Sequence, residues 1–115
     1  MSDAARIAAS YKRALDRVGE TLAVRRYSGD GHAPAHVDTP VRGRVTEYQA
    51  NELIGSIVQG DRKVICLVDT INSVLPLTVA DKIIVRGEEL SIRSVDDNTR
   101  RVNGVLIALE IQVSG

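Results

Sequence analysis

The sequence predicts a small, mainly β domain: an antiparallel barrel or sandwich of about six short strands, led by one helix. Three observations predict it. Phe and Trp are absent and Tyr occurs three times, so the core must be built from Val, Ile and Leu, two of which favour a pleated strand. Short runs of alternating apolar and polar residues recur along the chain, separated by Gly-, Asp- and Asn-bearing turns. Only the first twenty residues hold a helical period instead.

The helix is expected within residues 1–20. Ser2 or Asp3 can cap it, and Gly19 marks its end. Ile7, Tyr11, Leu15, Val18 and Leu22 form one apolar stripe, with Arg6, Lys12, Arg13, Asp16 and Arg17 largely off it. Such a helix either covers an open side of the sheet or packs on a neighbouring subunit, which makes Ile7, Tyr11, Leu15 and Val18 candidates for an interface. The remainder, 21–115, reads as one β domain.

From Thr21 to Tyr27 the period shifts to two, with Leu22 and Val24 on one face and Arg26 falling in the same register. Residues 28–40 carry glycine and proline breakers and no apolar periodicity, and predict a long exposed loop of roughly a dozen residues. Val41 to Gln49 reads as a strand with Arg42, Arg44 and Glu47. An apolar connection through Leu53 and Ile54 bends at Gly55, and Gln59 to Arg62 forms a turn. Lys63 to Asp69 is apolar on both faces and so predicts a central strand. Residues 70–80 form a connection. Asp81 opens the strand Ile83–Val85, a hairpin-like turn covers Arg86 to Glu89, and Leu90 and Ile92 alternate with Ser91 and Arg93. A polar turn over 96–101 precedes a last strand in which Leu109, Ile111 and Val113 alternate with Glu110 and Gln112.

At 115 residues the chain suffices for one domain and one core. Fifteen Lys and Arg balance fifteen Asp and Glu, so no global field draws it onto nucleic acid. Cys66, the only cysteine, sits in an apolar run and is expected to be a buried, inert thiol. No signal peptide is visible, and apolar runs of about five residues fall far short of the ~20 that span a bilayer. A reducing cytoplasm is the expected compartment, with no membrane partner.

Catalytic motifs are missing. His32 and His36, flanked by Asp30 and Asp38, are four residues apart, but that spacing aligns two imidazoles on a helix and aligns nothing in a Gly- and Pro-bearing loop. They read as ordinary polar loop residues. There is no nucleophile elbow, no Walker loop and no dinucleotide fingerprint. The chain is therefore expected not to be an enzyme and to hold no metal or cofactor. Arg25 and Arg26 end one expected strand while Arg42 and Arg44 begin the next. Paired as a hairpin, the four would gather at the base of the loop, either as a phosphate or acidic-partner patch or as solvated charge, and the second reading is favoured.

Leu53-Ile54-Gly55, Gly60-Asp61-Arg62-Lys63-Val64, the spaced set Asp81, Ile83, Gly87, Leu90, Ile92 and Val95, and the closing strand to Val113 together carry a resemblance. Residues 43–113 resemble the small head-closure proteins (stopper or head–tail joining proteins) of the neck of tailed bacteriophages. The resemblance implies a virion subunit, assembled in the host cytoplasm, that forms a six- or twelve-fold ring beneath portal and adaptor and joins the DNA-filled head to the tail. It further implies a loop projecting into the channel to help retain packaged DNA, a role residues 28–40 suit by position. That loop has no Lys or Arg, so Arg42 and Arg44 are the better lumen candidates. Strand edges and the leading helix would make the ring contacts. A tail-completion or tail-terminator subunit, and a small β-barrel nucleic-acid-binding module, stay open as alternatives.

Overall fold

The structure, a computed structural model, describes residues 2–28, 35–48, 50–52, 55, 60–97 and 100–115. Helix α1 (Asp3–Val18) is followed by strands β1 (Glu20–Ser28), β2 (Ala35–Glu47) and β3 (Arg62–Leu67), one helical turn α2 (Val68–Ile71), then β4 (Lys82–Val85), β5 (Glu88–Asp96), β6 (Arg101–Val102), β7 (Val105–Leu106) and β8 (Ala108–Ser114). Six strands close into a barrel in the order β1-β2-β3-β8-β5-β4, every neighbouring pair antiparallel. The mainly β architecture is thus as the sequence predicts, and it is the barrel of the two forms.

Period-two patterning explains the closure. Leu22, Val24, Val41, Val64, Cys66, Ile83, Val85, Leu90, Ile92, Leu109, Ile111 and Val113 all point inward and are buried. Each such side chain removed from water stabilises the fold by about 1.5–3 kcal/mol. Cys66 is among them, and burial pushes its thiol up to about 12, so it is protonated at neutral pH. Gly43 occupies an inward position where a Cβ would lie 2.9 Å from the Cys66 Sγ and 3.1 Å from Leu22 Cδ1. There the barrel is too narrow for any side chain.

One barrel end is plugged by the segment after β3: Ile71 and Val74 are buried in the same core as the strands. That corrects two expected boundaries, since β3 ends at Leu67 and the chain turns helical where the strand was expected to reach Asp69. The expected connection over 70–80 is the remainder of this plug.

Helix α1 lies outside the barrel. Ser2 caps it, its Oγ accepting from the Ala5 N–H at 3.1 Å, and Gly19 ends it with its N–H donating to the Leu15 carbonyl. The face it buries is only in part the one expected, keeping Tyr11 and Leu15 but not Ile7 and Val18. Ala4, Ala8, Tyr11 and Leu15 pack on Leu67, Val102 and Ile107, whereas Ile7 is 40% and Val18 50% exposed, and Leu22 belongs to the barrel core. Alanines let the helix axis approach the sheet closely, so the seam centres on them and the bulkier Ile7 and Val18 fall to its flanks. Arg100 fastens the seam, donating to the Tyr11 hydroxyl at 2.7 Å and to Glu110 at 3.1 Å.

The largest correction concerns residues 28–40. Ser28 still pairs with Ala35, and β2 runs unbroken from Ala35 to Glu47, so seven of the residues expected in a loop, Ser28 and 35–40, are strand. Only 29–34, outside the described residues, separate the two strands. Pro40 permits this because it sits where β2 has a ladder partner on one side alone, since β3 covers only Gly43 to Glu47. Turn chemistry supplies two further hairpins. Arg86 and Gly87, both at positive φ, join β4 to β5, and Asn103-Gly104 joins β6 to β7, a ribbon lying within what reads as a polar turn and its flank. Gly55 and Gly60 do turn the chain, at positive φ, whereas Leu53 and Ile54 lie outside the described residues.

Candidate functional site

The β1–β2 hairpin outruns its neighbours. On the β1 side β4 pairs only with Ala23 to Arg25, and on the β2 side β3 stops at Gly43. Residues 26–28 and 35–38 therefore project beyond the barrel as a two-stranded arm, all of them exposed, and the molecule measures 49 × 33 × 26 Å. Tyr27 and Val37 stand on this arm with apolar surface in solvent, Val37 at 67% exposure.

A polar brace holds the arm at its base. Arg25 grips its cross-strand neighbour Asp38 with two bonds of 2.8 and 2.9 Å and reaches Glu89 on β5 at 3.2 Å. The Tyr27 hydroxyl donates to the same Glu89 carboxylate. The His36 ring meets Tyr27 edge-on, with centroids 5.5 Å apart, and its Nε2 lies 4.0 Å from Asp38. Arg25 holds the Asp38 carboxyl below the usual carboxylate range, and the Tyr27 hydrogen bond, with Arg25 behind it, does the same for Glu89. Glu89 in turn raises the Tyr27 phenol. These carboxylates are held ionised by their partners, and the cluster orients three strands.

Arg26, in the inward register, does different work. Its guanidinium forks onto Asp81 with two bonds of 3.0 Å and donates to the Val74 carbonyl at 2.7 Å and the Pro76 carbonyl at 3.3 Å. Asp81, its side chain 5% exposed, also accepts from the Thr78 N–H. Arg26 first, then the Thr78 N–H, holds the Asp81 carboxyl below its usual range against the opposing effect of burial. This pair ties the plug to the arm's root.

The four arginines expected to share one patch are consequently dispersed. Arg25 faces outward and Arg26 inward, and each is matched to carboxylate. Arg42 donates to the Leu15 and Asp16 carbonyls at 3.1 and 3.2 Å, closing the C-terminal end of α1, and Arg44 is exposed further along β2. His36 lies on the arm; His32 falls outside the described residues. Among the described residues no group of three His, Cys, Asp or Glu is placed to hold a metal ion, and no helix is long and apolar enough to cross a membrane.

Sequence reasoning missed Tyr27, Asp38 and Glu89 as a unit, because their meeting depends on the register Arg25↔Asp38 and on β5 passing nearby. It also missed an open apolar groove of about 550 Å3 between α1 and β7, lined by Ala4, Ala8, Leu67, Val105 and Ile107. A run of alanines on a helical period was the available signal. No protein-family model matches this chain, and no curated protein matches it either.

Proposed function

We propose that this chain is a non-catalytic structural subunit of a tailed-phage neck, forming a ring that joins the DNA-filled head to the tail and helps retain packaged DNA. The observation that carries the reading is the β1–β2 arm. A closed barrel has no open edge to offer a neighbour, yet here two strands continue past it, with one ladder side of β2 unpaired among the described residues and Val37 in solvent. Unpaired strand edges take up a further strand or a covering surface, and a lone globular domain gains nothing by exposing one. The arm and the α1–β7 groove lie on different parts of the chain, so an arm seated in the groove of the next copy would be a head-to-tail contact, which forms a ring where its rotation closes.

The resemblance of residues 43–113 to head-closure proteins gives the ring its place, between portal and adaptor above and tail below. A tail-completion or tail-terminator subunit uses the same geometry and differs in its neighbours. A nucleic-acid-binding module built on the hairpin base is disfavoured, because Arg25 and Arg26 are already matched to carboxylates.

Sedimentation velocity at rising concentration, alone and with portal–adaptor or tail-end complexes, tests the proposal. A closed oligomer, or capture by the portal–adaptor complex, is expected, and Val37→Asp is expected to abolish either while leaving the melting temperature unchanged. Capture by tail ends alone would replace the head-closure reading with the tail-terminator one. A chain that stays monomeric and binds neither complex would overturn both.

A further inference from the structure

We propose that the solvent-facing stripe of α1, formed by Arg6, Arg13 and Arg17, is a contact for the phosphate backbone of duplex DNA. At 100° per residue these three fall within about 40° of one another, on the side of the helix opposite the Ala4–Ala8–Leu15 seam. All three are exposed, and the eleven helical steps from Arg6 to Arg17 cover about 16 Å of helix axis.

The charge on this stripe is left over from the folding of the chain. The chain is neutral overall, but α1 holds four cations against two carboxylates, and the rest of the molecule holds eleven against thirteen. Lys12 is matched by Asp16 at 3.0 Å and Arg6 by Asp3. Among the described residues neither Arg13 nor Arg17 meets a carboxylate; Arg13 donates only to the Ser10 hydroxyl, at 3.2 Å. Several arginines elsewhere are matched to carboxylates, Arg25 to Asp38 and Glu89, Arg26 to Asp81, Arg86 to Glu20 and Arg100 to Glu110, whereas Arg44 and Arg93 are exposed singly on separate strands. At the C-terminal end of the helix the stripe meets Arg42, whose guanidinium lies on the Leu15 and Asp16 carbonyls.

A row of guanidinium groups on a rigid helix, with a hydroxyl between the first two, suits successive phosphates of a polyanion. It reads no base edge, so the contact is independent of sequence. Duplex DNA is favoured over an acidic protein because the stripe is narrow, arginine-only and without an apolar centre, whereas protein interfaces centre on desolvated apolar contacts. The inference rests on the neck reading only for DNA being at hand, and it moves the DNA contact from the expected Arg42 and Arg44 and the 28–40 segment to the helix.

Fluorescence anisotropy on a short random-sequence duplex, from about 50 to 200 mM salt, tests it. The wild type is expected to bind with a steep inverse salt dependence. In the triple variant Arg6→Gln/Arg13→Gln/Arg17→Gln the log–log slope is expected to become shallower by about 0.9 for each of the two arginines without a carboxylate, Arg13 and Arg17, with binding near 0.1 M salt weaker by about two orders of magnitude. Arg86→Gln, which removes a cation already matched by Glu20, is expected to leave the slope unchanged. An unaltered slope in the triple variant, an equal loss in Arg86→Gln, or no wild-type binding at the lowest salt would each overturn the proposal. Binding to polyglutamate without binding to DNA would also do so, in favour of an acidic protein. Because the substituted side chains are exposed, the variant is expected to melt as the wild type does. Sedimentation of the same samples separates the two ideas: a monomer that binds DNA through the stripe removes the ring and keeps this contact, and a ring indifferent to DNA does the reverse.

Discussion

The barrel and the arm are made from the same two strands, yet they obey opposite rules. Within the barrel Leu22, Val24 and Val41 are buried and every strand has a partner on both sides. A few residues further along β1 and β2 the same register carries Arg26 and the exposed Val37, and among the described residues one ladder side has no partner strand. Stability is concentrated where edges are closed, and the capacity to meet another molecule lies where they are not. One continuous hairpin gives the arm a rigid root, so it keeps a direction although it adds nothing to the core.

Variants in the two regions should therefore part company. The largest effect is expected inside the barrel: Ile111→Ala, at a fully buried position, is expected to cost about 3–4 kcal/mol by chemical denaturation. If it cost no more than an arm substitution, the contrast between a dense core and a free arm would fail.

Asp81→Asn comes next, at about 2–3 kcal/mol, because it leaves the Arg26 guanidinium at the plug without its counter-charge. Arg26 holds the Asp81 carboxyl below its ordinary value of 3.8, so this contribution is complete above that pH and is lost as pH falls through the lowered value. Acid melts of the wild type should lose stability in that window, and Asp81→Asn should flatten the response. An equal acid response in both proteins would show that the pair does not join plug to arm.

Arg42→Ala is expected to cost about 1 kcal/mol, by uncovering the last carbonyls of α1, with amide exchange accelerated in the helix and not in the barrel. The smallest effect on global stability is expected for Arg25→Ala. There the readout is local: faster amide exchange in residues 26–28 and 35–38 with an unchanged melting temperature would confirm a brace that orients the arm and does not hold up the barrel.

How much of this was legible varied by element. The helix ends were written in Ser2 and Gly19, the inward faces of β5 and β8 in alternation of Val, Ile and Leu with polar residues, and β3 and β4 in short apolar runs. The arm was not legible. Its strand positions carry His36, Asp38 and Pro40, residues that read as loop, and they stay extended because the partner strand opposite them supplies the ladder. The seam of α1 was misjudged for a related reason. Hydropathy favours Ile7 and Val18, while close approach favours Ala4 and Ala8.

The candidate surfaces divide the same way. Arg25, Arg26, Arg42 and Arg44 were visible as a cluster along the chain, but pairing register sent them to four different environments. The three arginines of α1 were visible only as charge off an apolar stripe, and became a distinct surface once the fold showed which face of the helix is buried.

By itself the sequence determined a mainly β fold of about six strands, an aliphatic core with a buried Cys66, and a capped leading helix, because period and local turn chemistry act over a few neighbouring residues. Tertiary structure alone decided that the sheet closes, that the first hairpin outruns it, and which charges are neutralised. Those outcomes depend on contacts between residues distant in sequence, such as Arg25 with Glu89 and Arg26 with Asp81, which no local pattern encodes.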